Sequence, residues 1–484
     1  MKKLLLILLC FPMIGFGQFN RLDVITVDSI ESKVNRHKAE QNWVGMSVGI
    51  VMNGEIAYLD GFGDAKKSYL TCCPVVSHSS IPADMNSVYR VASVTKSMTA
   101  VLTLKLAEMG LLDLEDFVQQ YVPEYPTTGG KDLVKIKHLL SNESGVVHYG
   151  GSCNTCIFPQ NSTARTNYIN NHTNVYDPVA AISIFKDQSL CFTPGTYYHY
   201  STFGFCLLAA VIERASGTSY QDCFFDKIVC PMKMPSLEIE FQERVPYQNQ
   251  VEGYKYASGS SCSTCTTIPS TFGISPDVSY KMGGGGSIGS VVDLALYIRG
   301  LVNNIILSDS MLSVMGTTHS TLEFIKISDS TTCTVDSSLS SYGYGVVLGT
   351  DLYGNRLYKH SGAQDQTSTY LRFSPDSKHG VIIMCNTEDI EQHGTLAYDL
   401  YYLLFNATLS SSPIFSPVLS TKDIPVSSGH LFPGTYESNY SINSTGNISF
   451  GDTTQLKAIT SIKLQPGFES SQGSLFKAKV NNCD

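Results

Sequence analysis

The chain has 484 residues, of which 43% are hydrophobic, and it carries a formal net charge of −9. This length accommodates two or three globular domains with full hydrophobic cores. The acidic balance and the lack of a basic stripe argue against a nucleic-acid-binding protein. Beyond the N-terminus, no stretch is apolar for long enough to predict a transmembrane helix.

The first 17 residues have the pattern of a secretion signal. Lys2 and Lys3 form a positive start, residues 4–14 form an apolar run, and Gly15-Phe16-Gly17 offers a small-residue cleavage site. The alternative, a membrane anchor, is disfavoured because the apolar run is too short to span a bilayer. Cys10 lies deep inside this run, which disfavours a lipoprotein signal. The pattern predicts a secreted or periplasmic protein and leaves attachment to the cell surface open.

Two local patterns mark the folded region that follows. Residues 45–58 alternate apolar positions on either side of Asn53-Gly54, which predicts a β-hairpin. Further on, Ser93-Val94-Thr95-Lys96 precedes an apolar-periodic run that stops at Gly110, which predicts a buried helix with Ser93 in its first turn. Residues three apart on a helix share a face, so the Lys96 amine can reach the Ser93 hydroxyl. Because a buried lysine with a lowered pKa can take a proton from serine, the two residues are a candidate base and nucleophile.

A Ser-x-x-Lys pattern occurs by chance in most long chains, but further segments follow this one in order. Residues 194–202, Pro-Gly-Thr-Tyr-Tyr-His-Tyr-Ser-Thr, precede a predicted helix from Phe205 to Ser216. His360-Ser361-Gly362 ends a predicted strand, and a predicted hairpin follows over residues 370–384. Between them, the glycine run 283–286 leads into a predicted helix; taken alone, such a run indicates a flexible turn.

In this order, the segments resemble the motifs of the serine β-lactamase and penicillin-binding-protein superfamily, especially its class C-like branch. Ser93-x-x-Lys96 resembles the first motif, Tyr200 matches the tyrosine of Tyr-x-Asn, and His360-Ser361-Gly362 resembles the His-x-Gly variant of Lys-Thr-Gly. The resemblance extends from about Met46 to Leu404. It implies an α+β, β-lactamase/transpeptidase-like fold, with an antiparallel sheet flanked by helices and a mostly helical lobe. It also implies acyl transfer through a serine acyl-enzyme, with no cofactor and no metal.

The resemblance also implies roles for the matching residues. Ser93 is the nucleophile, Lys96 shuttles its proton, and Tyr200 is the partner base that later delivers the proton to the leaving group. A phenol has an ordinary pKa near ~10, so Tyr200 needs positive charge from Lys96 or His360 to act as a base. The oxyanion hole uses the backbone N–H groups of Ser93 and Ala363. The residues expected to contact substrate are Thr202, Ser361, Gly362 and Ala363.

Two positions depart from the usual motifs. Thr202 replaces the asparagine of Tyr-x-Asn, and its hydroxyl lacks the amide that would contact a substrate carbonyl. His360 stands where a lysine would present a permanent cation, and histidine is largely neutral above a pKa of ~6.5. This histidine predicts weaker recognition of a free carboxylate and favours esters, amides or D-amino-acid peptides. The alternative for His360 is a strand histidine with a structural role only.

The cysteines leave two interpretations open. Of the 14 cysteines, Cys10 leaves with the signal, so 14 − 1 = 13 remain. Two similar segments, residues 152–156 and 261–265, each contain Cys-x-x-Cys, and two such pairs can form a four-thiolate zinc site. In an exported protein, disulfides are the favoured interpretation, and their connectivity cannot be deduced from the sequence.

Composition divides the chain into four parts. Residues 1–17 are the predicted signal, and residues 18–408 form one β-lactamase-related hydrolase domain that ends in a predicted helix from about Glu391 to Leu404. Residues 409–430 are rich in Ser and Pro, which predicts a linker. Residues 431–484 have short alternating apolar positions, which predict a small all-β module. This module resembles those of exported Gram-negative bacterial proteins, which implies sorting, attachment or adhesion; the alternative is a stabilising appendage.

Three hypotheses for function follow from these patterns. The first is an exported serine hydrolase that acts through an acyl-enzyme on a β-lactam, a D-amino-acid peptide or an ester. The second, prompted by Thr202, is a penicillin- or peptidoglycan-binding sensor with slow or no turnover. The third is an adhesion or structural protein whose activity lies in residues 431–484. The intact catalytic set favours the first, with a small-molecule or peptide substrate such as a cell-wall peptide, and the oligomeric state stays open.

Overall fold

The structure is a computed structural model that describes most of the chain between residues 18 and 415. The described residues are 18–67, 80–149, 175–241, 247, 249–256, 267–269, 277–319, 324–327, 333–336, 341–364, 367–387, 391–410 and 415, with short strands between 423 and 480. The predicted signal and both Cys-x-x-Cys pairs lie outside these residues, so the expectations for them remain predictions.

The strands of residues 18–387 build a central antiparallel sheet and several smaller ones. In chain order they are β1 (Phe19–Asn20), β2 (Gly45–Met52), β3 (Glu55–Lys66), β4 (Ile81–Pro82), β5 (Val88–Arg90), β6 (Glu238–Ile239), β7 (Tyr254–Tyr256), β8 (Thr267–Pro269), β9 (Ser287–Ser290), β10 (Phe324–Ile327), β11 (Cys333–Asp336), β12 (Val347–Thr350), β13 (Arg356–Gln364), β14 (Thr367–Phe373) and β15 (Gly380–Cys385). The central order is β1-β3-β2-β15-β14-β13-β12, and β4 pairs with β3. The hairpin predicted over residues 45–58 is confirmed as β2-β3. Its turn residues Asn53 and Gly54 have φ angles of 54° and 78°, the left-handed values that a two-residue hairpin turn needs.

The helices cover both faces of this sheet. They are α1 (Val24–Glu40), α2 (Thr95–Glu108), α3 (Ile136–Leu140), α4 (Pro178–Ala181), α5 (Thr202–Ser216), α6 (Tyr220–Phe224), α7 (Met282–Gly285), α8 (Val291–Val302), α9 (Asp309–Met315) and α10 (Glu391–Leu403). Helix α10 packs on α1, β14 and β15, while α8 packs on β2 and β15 and α2 packs on α5. The expected α+β class is confirmed. None of the described helices is long and apolar enough to cross a membrane.

Strand β15 shows why the sheet needs helices on both faces. Its side chains are all fully buried and alternate between two separate cores. Val381 and Ile383 belong to the core shared with α1 and α10, whereas Ile382 and Met384 belong to the core shared with α2, α5 and α8. Because burial of each such side chain contributes about 1.5–3 kcal/mol, the continuous apolar run of this strand specifies a central position in the sheet.

Two helices begin differently from the sequence-based expectation. Ser93 lies in a 3₁₀ turn, Ala92–Val94, that directly precedes α2 rather than in the α-helix itself. Helix α5 begins at Thr202, three residues earlier than predicted, because the Ser201 side chain accepts a hydrogen bond from the Gly204 N–H and caps the helix there. The glycine run is not a flexible turn, because residues 282–285 form the buried helix α7.

The strands after residue 422 pair with one another in parallel. They are β16 (Asp423–Val426), β17 (His430–Leu431), β18 (Gly434–Ser438), β19 (Ser441–Ser444), β20 (Asn447–Ile448), β21 (Thr453–Ala458), β22 (Ser461–Leu464), β23 (Glu469–Ser470) and β24 (Leu475–Val480). Strands β16, β19 and β22 form one three-stranded sheet, β17, β20 and β23 form a second, and β18, β21 and β24 form a third. Every third strand along the chain therefore belongs to the same sheet. Strand β16 lies inside the stretch interpreted as a linker, yet it pairs with β19 of the predicted β-module.

Candidate active site

A tight turn between β5 and α2 positions the Ser93 hydroxyl. Ala92 has a φ of 52°, in the left-handed region that residues with a Cβ rarely adopt, and such strain often accompanies a functional site. A hydrogen bond of 2.6 Å between the Thr95 and Ser287 hydroxyls joins α2 to β9 and stabilises the turn. The strained turn thereby fixes the position of Ser93 relative to the helix that follows.

Lys96 lies one turn further along and contacts the Ser93 hydroxyl directly. Its Nζ is 3.0 Å from Ser93 Oγ and donates a hydrogen bond to the carbonyl oxygen of Gly284 at 2.5 Å. The side chain is fully buried, and among the described residues no carboxylate forms an ion pair with it. Burial holds the pKa of Lys96 well below its ordinary value, and the charge of Lys281 lowers it further. In the neutral amine, the free lone pair of Nζ can accept the Ser93 proton.

Tyr200 packs against this pair from the N-terminal side of α5. The centre of its ring lies 4.7 Å from Lys96 Nζ. Burial raises the pKa of Tyr200 well above its ordinary value, although a hydrogen bond with Ser93 acts in the opposite direction. Burial thus favours the neutral amine of Lys96 and the protonated phenol of Tyr200 over their charged forms, and the role of Tyr200 as a base stays a prediction.

His360 lies across the site on β13 and is neutral. Its Nδ1 donates to the carbonyl oxygen of Ser361 at 2.6 Å, since a carbonyl can only accept, and Nε2 is then free to accept from the Tyr342 hydroxyl at 3.3 Å. Burial lowers the pKa of His360 to about 3. The expectation that His360 supplies positive charge to Tyr200 is therefore wrong, because an uncharged imidazole cannot do so.

Strand β13 runs close beside the nucleophile turn. A Cβ added to Gly362 would come within 2.6 Å of the Val91 carbonyl oxygen and 2.9 Å of the Ser93 amide nitrogen. Only glycine allows this approach without movement of the backbone. Ala363, the next residue along β13, therefore lies close to the Ser93 backbone, and the N–H groups of these two residues remain the predicted oxyanion hole.

Five of the predicted site residues, Ser93, Tyr200, His360, Ser361 and Ala363, line one cavity of about 340 Å³. The side chains that line it are those of Ser93, Tyr198, Tyr200, Tyr342, Val347, His360, Ser361 and Ala363. Given that His360 is neutral, no described residue in this lining carries a charge. Within the described parts of the chain, no group of three His, Cys, Asp or Glu side chains could hold a metal ion.

Two of the predicted contact residues, Thr202 and Gly362, do not line this cavity, and Thr202 is buried behind its wall. It is only 1% exposed, its N–H donates to His148 Nδ1 at 3.2 Å, and its methyl group packs against Gly284. Its hydroxyl has no hydrogen-bond partner among the described residues. The proposed substrate contact of Thr202 thus remains a prediction.

Sequence patterns missed four residues in or beside this site. Tyr198 precedes Tyr200 by two residues, and that spacing in an extended segment could have placed both rings on the same side. Tyr342 precedes β12 and Val347 begins it, and neither gives a signal beyond a Tyr-Gly-Tyr-Gly run at residues 342–345. Lys281 carries no pattern that links it to Lys96.

Comparison with known proteins agrees with this geometry. The β-lactamase family profile matches residues 30–403. The human serine β-lactamase-like protein LACTB, mitochondrial, is 28% identical over 320 residues, 55% of each protein, so the chain spans about half the length of this relative. The octameric penicillin-binding protein homologue from Pyrococcus abyssi has a TM-score of 0.60 at 24% identity, covering 78% of this chain and 77% of its own. D-amino acid amidase from Ochrobactrum anthropi SV3, complexed with L-phenylalanine amide, has a TM-score of 0.60 at 18% identity, covering 79% and 99% respectively.

The two structural likenesses show the fold, and the sequence match extends over most of the chain. The arrangement of Ser93, Lys96, Tyr200 and the strand that carries His360 occurs within that matched region. The resemblance deduced from the motifs is confirmed: the chain belongs to the β-lactamase family of serine hydrolases.

Proposed function

We propose that this protein is an exported serine hydrolase that cleaves an amide or ester through an acyl-enzyme on Ser93. The observation that carries the proposal is the 3.0 Å contact between Ser93 Oγ and the fully buried Lys96 amine. A buried amine without a carboxylate partner among the described residues is disposed to be neutral, and a neutral amine is a base. Export is proposed from the pattern of residues 1–17 alone.

The proposed reaction begins when Ser93 Oγ attacks the substrate carbonyl carbon. Its proton passes to Lys96 Nζ, and the negative oxygen that forms accepts hydrogen bonds from the N–H groups of Ser93 and Ala363. The bond to the leaving nitrogen or oxygen then breaks, and the proton reaches that atom from Lys96 through the Tyr200 hydroxyl. Water attacks the ester on Ser93 by the same proton transfers in reverse, which releases the acid and restores the serine. Each positioned proton transfer contributes typically ~10²–10⁴-fold in rate.

The cavity favours an uncharged, apolar acyl group. Three tyrosines contribute to its wall, and the imidazole of His360 presents no positive charge to a carboxylate. The ring centres of Tyr198 and Tyr342 lie 5.4 Å apart, a distance at which aromatic rings attract one another. An aromatic group of a substrate that packs against this pair would be attracted in the same way. Esters and D-amino-acid amides with apolar side chains fit this wall, and the likeness to a D-amino acid amidase supports the second of these.

A penicillin- or peptidoglycan-binding sensor is the alternative. It is favoured by Thr202, whose buried hydroxyl lies behind the cavity and offers substrate no amide, and by the likeness to a penicillin-binding protein homologue. A sensor is acylated at Ser93 but releases the acyl group slowly. The hydrolase and the sensor therefore differ in deacylation and not in acylation.

The decisive experiment compares acylation with turnover in the full-length chain. A fluorescent fluorophosphonate reports labelling of Ser93, and three chromogenic substrates report turnover: a short-chain ester, a D-phenylalanine anilide and a cephalosporin. Ser93→Ala should abolish labelling and turnover. Ser97→Ala is the matched control, since the Ser97 hydroxyl bonds to the Val94 carbonyl within the same helical segment.

Turnover of the ester or anilide that is lost only in Ser93→Ala would establish the hydrolase. Stoichiometric labelling by the cephalosporin without product release would instead favour the sensor. Absence of Ser93-dependent labelling would contradict both. Export is tested separately, by expression in a Gram-negative host and mass spectrometry of the exported fraction, where the mature chain should begin at Gln18.

A further inference from the structure

Lys281 is a second buried lysine beside the site, outside the motifs that carry the family resemblance. It ends the 3₁₀ turn Ser279–Lys281 immediately before α7 and is only 8% exposed. Its ammonium contacts a neutral aromatic residue: Nζ donates to the Tyr149 hydroxyl at 3.3 Å and lies 5.2 Å from the centre of that ring. Among the described residues, no carboxylate forms an ion pair with it. Such a charge is available to act on other groups nearby.

Lys281 and Lys96 approach the same small region from two different elements. The Gly284 carbonyl accepts from Lys96 Nζ, and the next residue, Gly285, lies along the Lys281 side chain, whose Cδ is 3.9 Å from the position of an added Cβ. Lys281 precedes Gly284 by only three residues, and residues 282–285 form the single buried turn of α7. Both lysines thus contact the same short buried segment, Lys96 through its amine and Lys281 through its side-chain methylenes. In agreement with this placement, both lysines act to lower the pKa of the Cys206 thiol on α5, which burial raises to about 12.

We propose that Lys281 is a positioning residue for acylation, whose unneutralised charge disfavours a second charge on Lys96 and so keeps Lys96 as the neutral base for Ser93. This inference rests on the proposed function of Ser93 and Lys96. Two like charges in a buried region are poorly screened, so protonation of Lys96 costs more while Lys281 is charged. The lowered pKa of Lys96, to which the charge of Lys281 contributes after burial, agrees with this effect.

The titratable groups that face Lys96 from other elements have pKa values outside the neutral range, so their titration does not overlap with that of Lys96. Tyr200, at the start of α5, has a pKa raised well above its ordinary value, and Cys206 on the same helix has a pKa of about 12. His360 on β13 has a pKa of about 3. Tyr200, Cys206 and His360 therefore keep one protonation state across the neutral range. The acidic limb of the rate of Ser93 acylation should consequently report the protonation of Lys96.

The test measures the rate constant for labelling of Ser93 by a fluorophosphonate from about pH 5 to about pH 10. Labelling requires acylation only, so a hydrolase and a sensor are tested alike. In Lys281→Met the acidic limb should move upward by about one pH unit, since a lost neighbouring cation makes Lys96 easier to protonate. At pH values within the acidic limb, labelling of Lys281→Met is then about tenfold slower than labelling of the wild type. At pH values above the limb, the two rates are equal. Lys281→Arg keeps the charge and should keep the wild-type limb.

A uniform loss of rate in Lys281→Met with an unmoved limb would overturn the inference, because a merely structural role lowers the rate at every pH. The midpoint of the limb does not depend on the fraction of active protein, and Lys281→Gln is a second neutral variant if Lys281→Met folds poorly. Labelling of the wild type with an unmoved limb in the neutral variants overturns only the role of Lys281. Absence of Ser93-dependent labelling in the wild type overturns the proposed function and this inference together.

Discussion

Substitution of Gly362 tests how closely β13 must approach the nucleophile turn. In Gly362→Ala the new methyl group would lie 2.6 Å from the Val91 carbonyl oxygen and 2.9 Å from the Ser93 amide nitrogen. Real Cβ atoms essentially never come closer than 3.0 Å, and both neighbours are backbone atoms that cannot rotate away. The strand or the turn must therefore move by at least 0.4 Å, the difference between 3.0 Å and 2.6 Å.

This displacement affects both donors of the proposed oxyanion hole. The Ser93 amide is itself one of the two clashing groups, and the Ala363 amide adjoins the substituted residue. Loss of one such donor costs about 2.7–4 kcal/mol, or roughly 10²–10³-fold in kcat. We expect Gly362→Ala to lower kcat for a chromogenic ester by about 10²-fold with a smaller change in KM. Overpacking should also lower the free energy of unfolding by about 1–3 kcal/mol, so the assay is run well below the unfolding temperature of the variant.

The matched control is Gly349→Ala on the neighbouring strand β12. An added Cβ at Gly349 meets no atom within 4 Å, and its backbone is not left-handed. This variant should keep the wild-type kcat and unfolding temperature. Wild-type kcat in Gly362→Ala would refute the close-approach argument, and an equal loss in Gly349→Ala would show that any side chain added to this edge of the sheet impairs the enzyme.

Two further predictions concern charge. His360→Lys should raise kcat/KM for a substrate with a free carboxylate by roughly ten- to a hundredfold relative to its methyl ester, because a charge-assisted hydrogen bond contributes about 1.5–3 kcal/mol. Steady-state assays of the two substrates measure this ratio, and an unchanged ratio would argue against residue 360 as a wall of the substrate cavity. Arg90→Leu should lower the free energy of unfolding by about 3–5 kcal/mol, because it leaves Glu240, itself 2% exposed, without the guanidinium that now contacts it at 2.5 Å. The half-exposed Arg214–Glu124 pair is the control, and Arg214→Ala should lower the free energy of unfolding by only about 0–1 kcal/mol. Urea titration measures both variants, and equal losses of unfolding free energy would refute the burial argument.

The sequence-based predictions succeeded where the chemistry is local along the chain. Ser93 and Lys96 are three residues apart, so helical geometry alone brings their side chains together, and the 3.0 Å contact follows. The β2-β3 hairpin is equally local, because Asn53-Gly54 specifies its turn. The hairpin predicted over residues 370–384 is local as well, and it is present as β14 paired with β15.

Long-range parts of the site could not be predicted from the same patterns. Tyr342 reaches His360 from a segment 18 residues away, and Lys281 approaches Lys96 through the packing of α7 against α5. No periodicity encodes such contacts, because they depend on how separate elements pack. The position of Thr202 is a similar case: its motif spacing is right, yet a capping hydrogen bond to Ser201 starts α5 there and directs the threonine away from the cavity wall.

The protonation states of the site also depend on packing, and they change the mechanism expected from the motifs. Burial favours the uncharged form of each group: the amine of Lys96, the phenol of Tyr200 and the neutral imidazole of His360. An ion pair between Lys96 and Tyr200 has the same number of protons but must bear the desolvation cost of two charges before any substrate arrives. In the neutral site, charge appears only as Ser93 attacks, when Lys96 becomes a cation and the substrate oxygen becomes an anion. The interactions between these charges and the oxyanion donors are then stronger in the transition state than in the resting enzyme, which is the condition for them to accelerate the reaction.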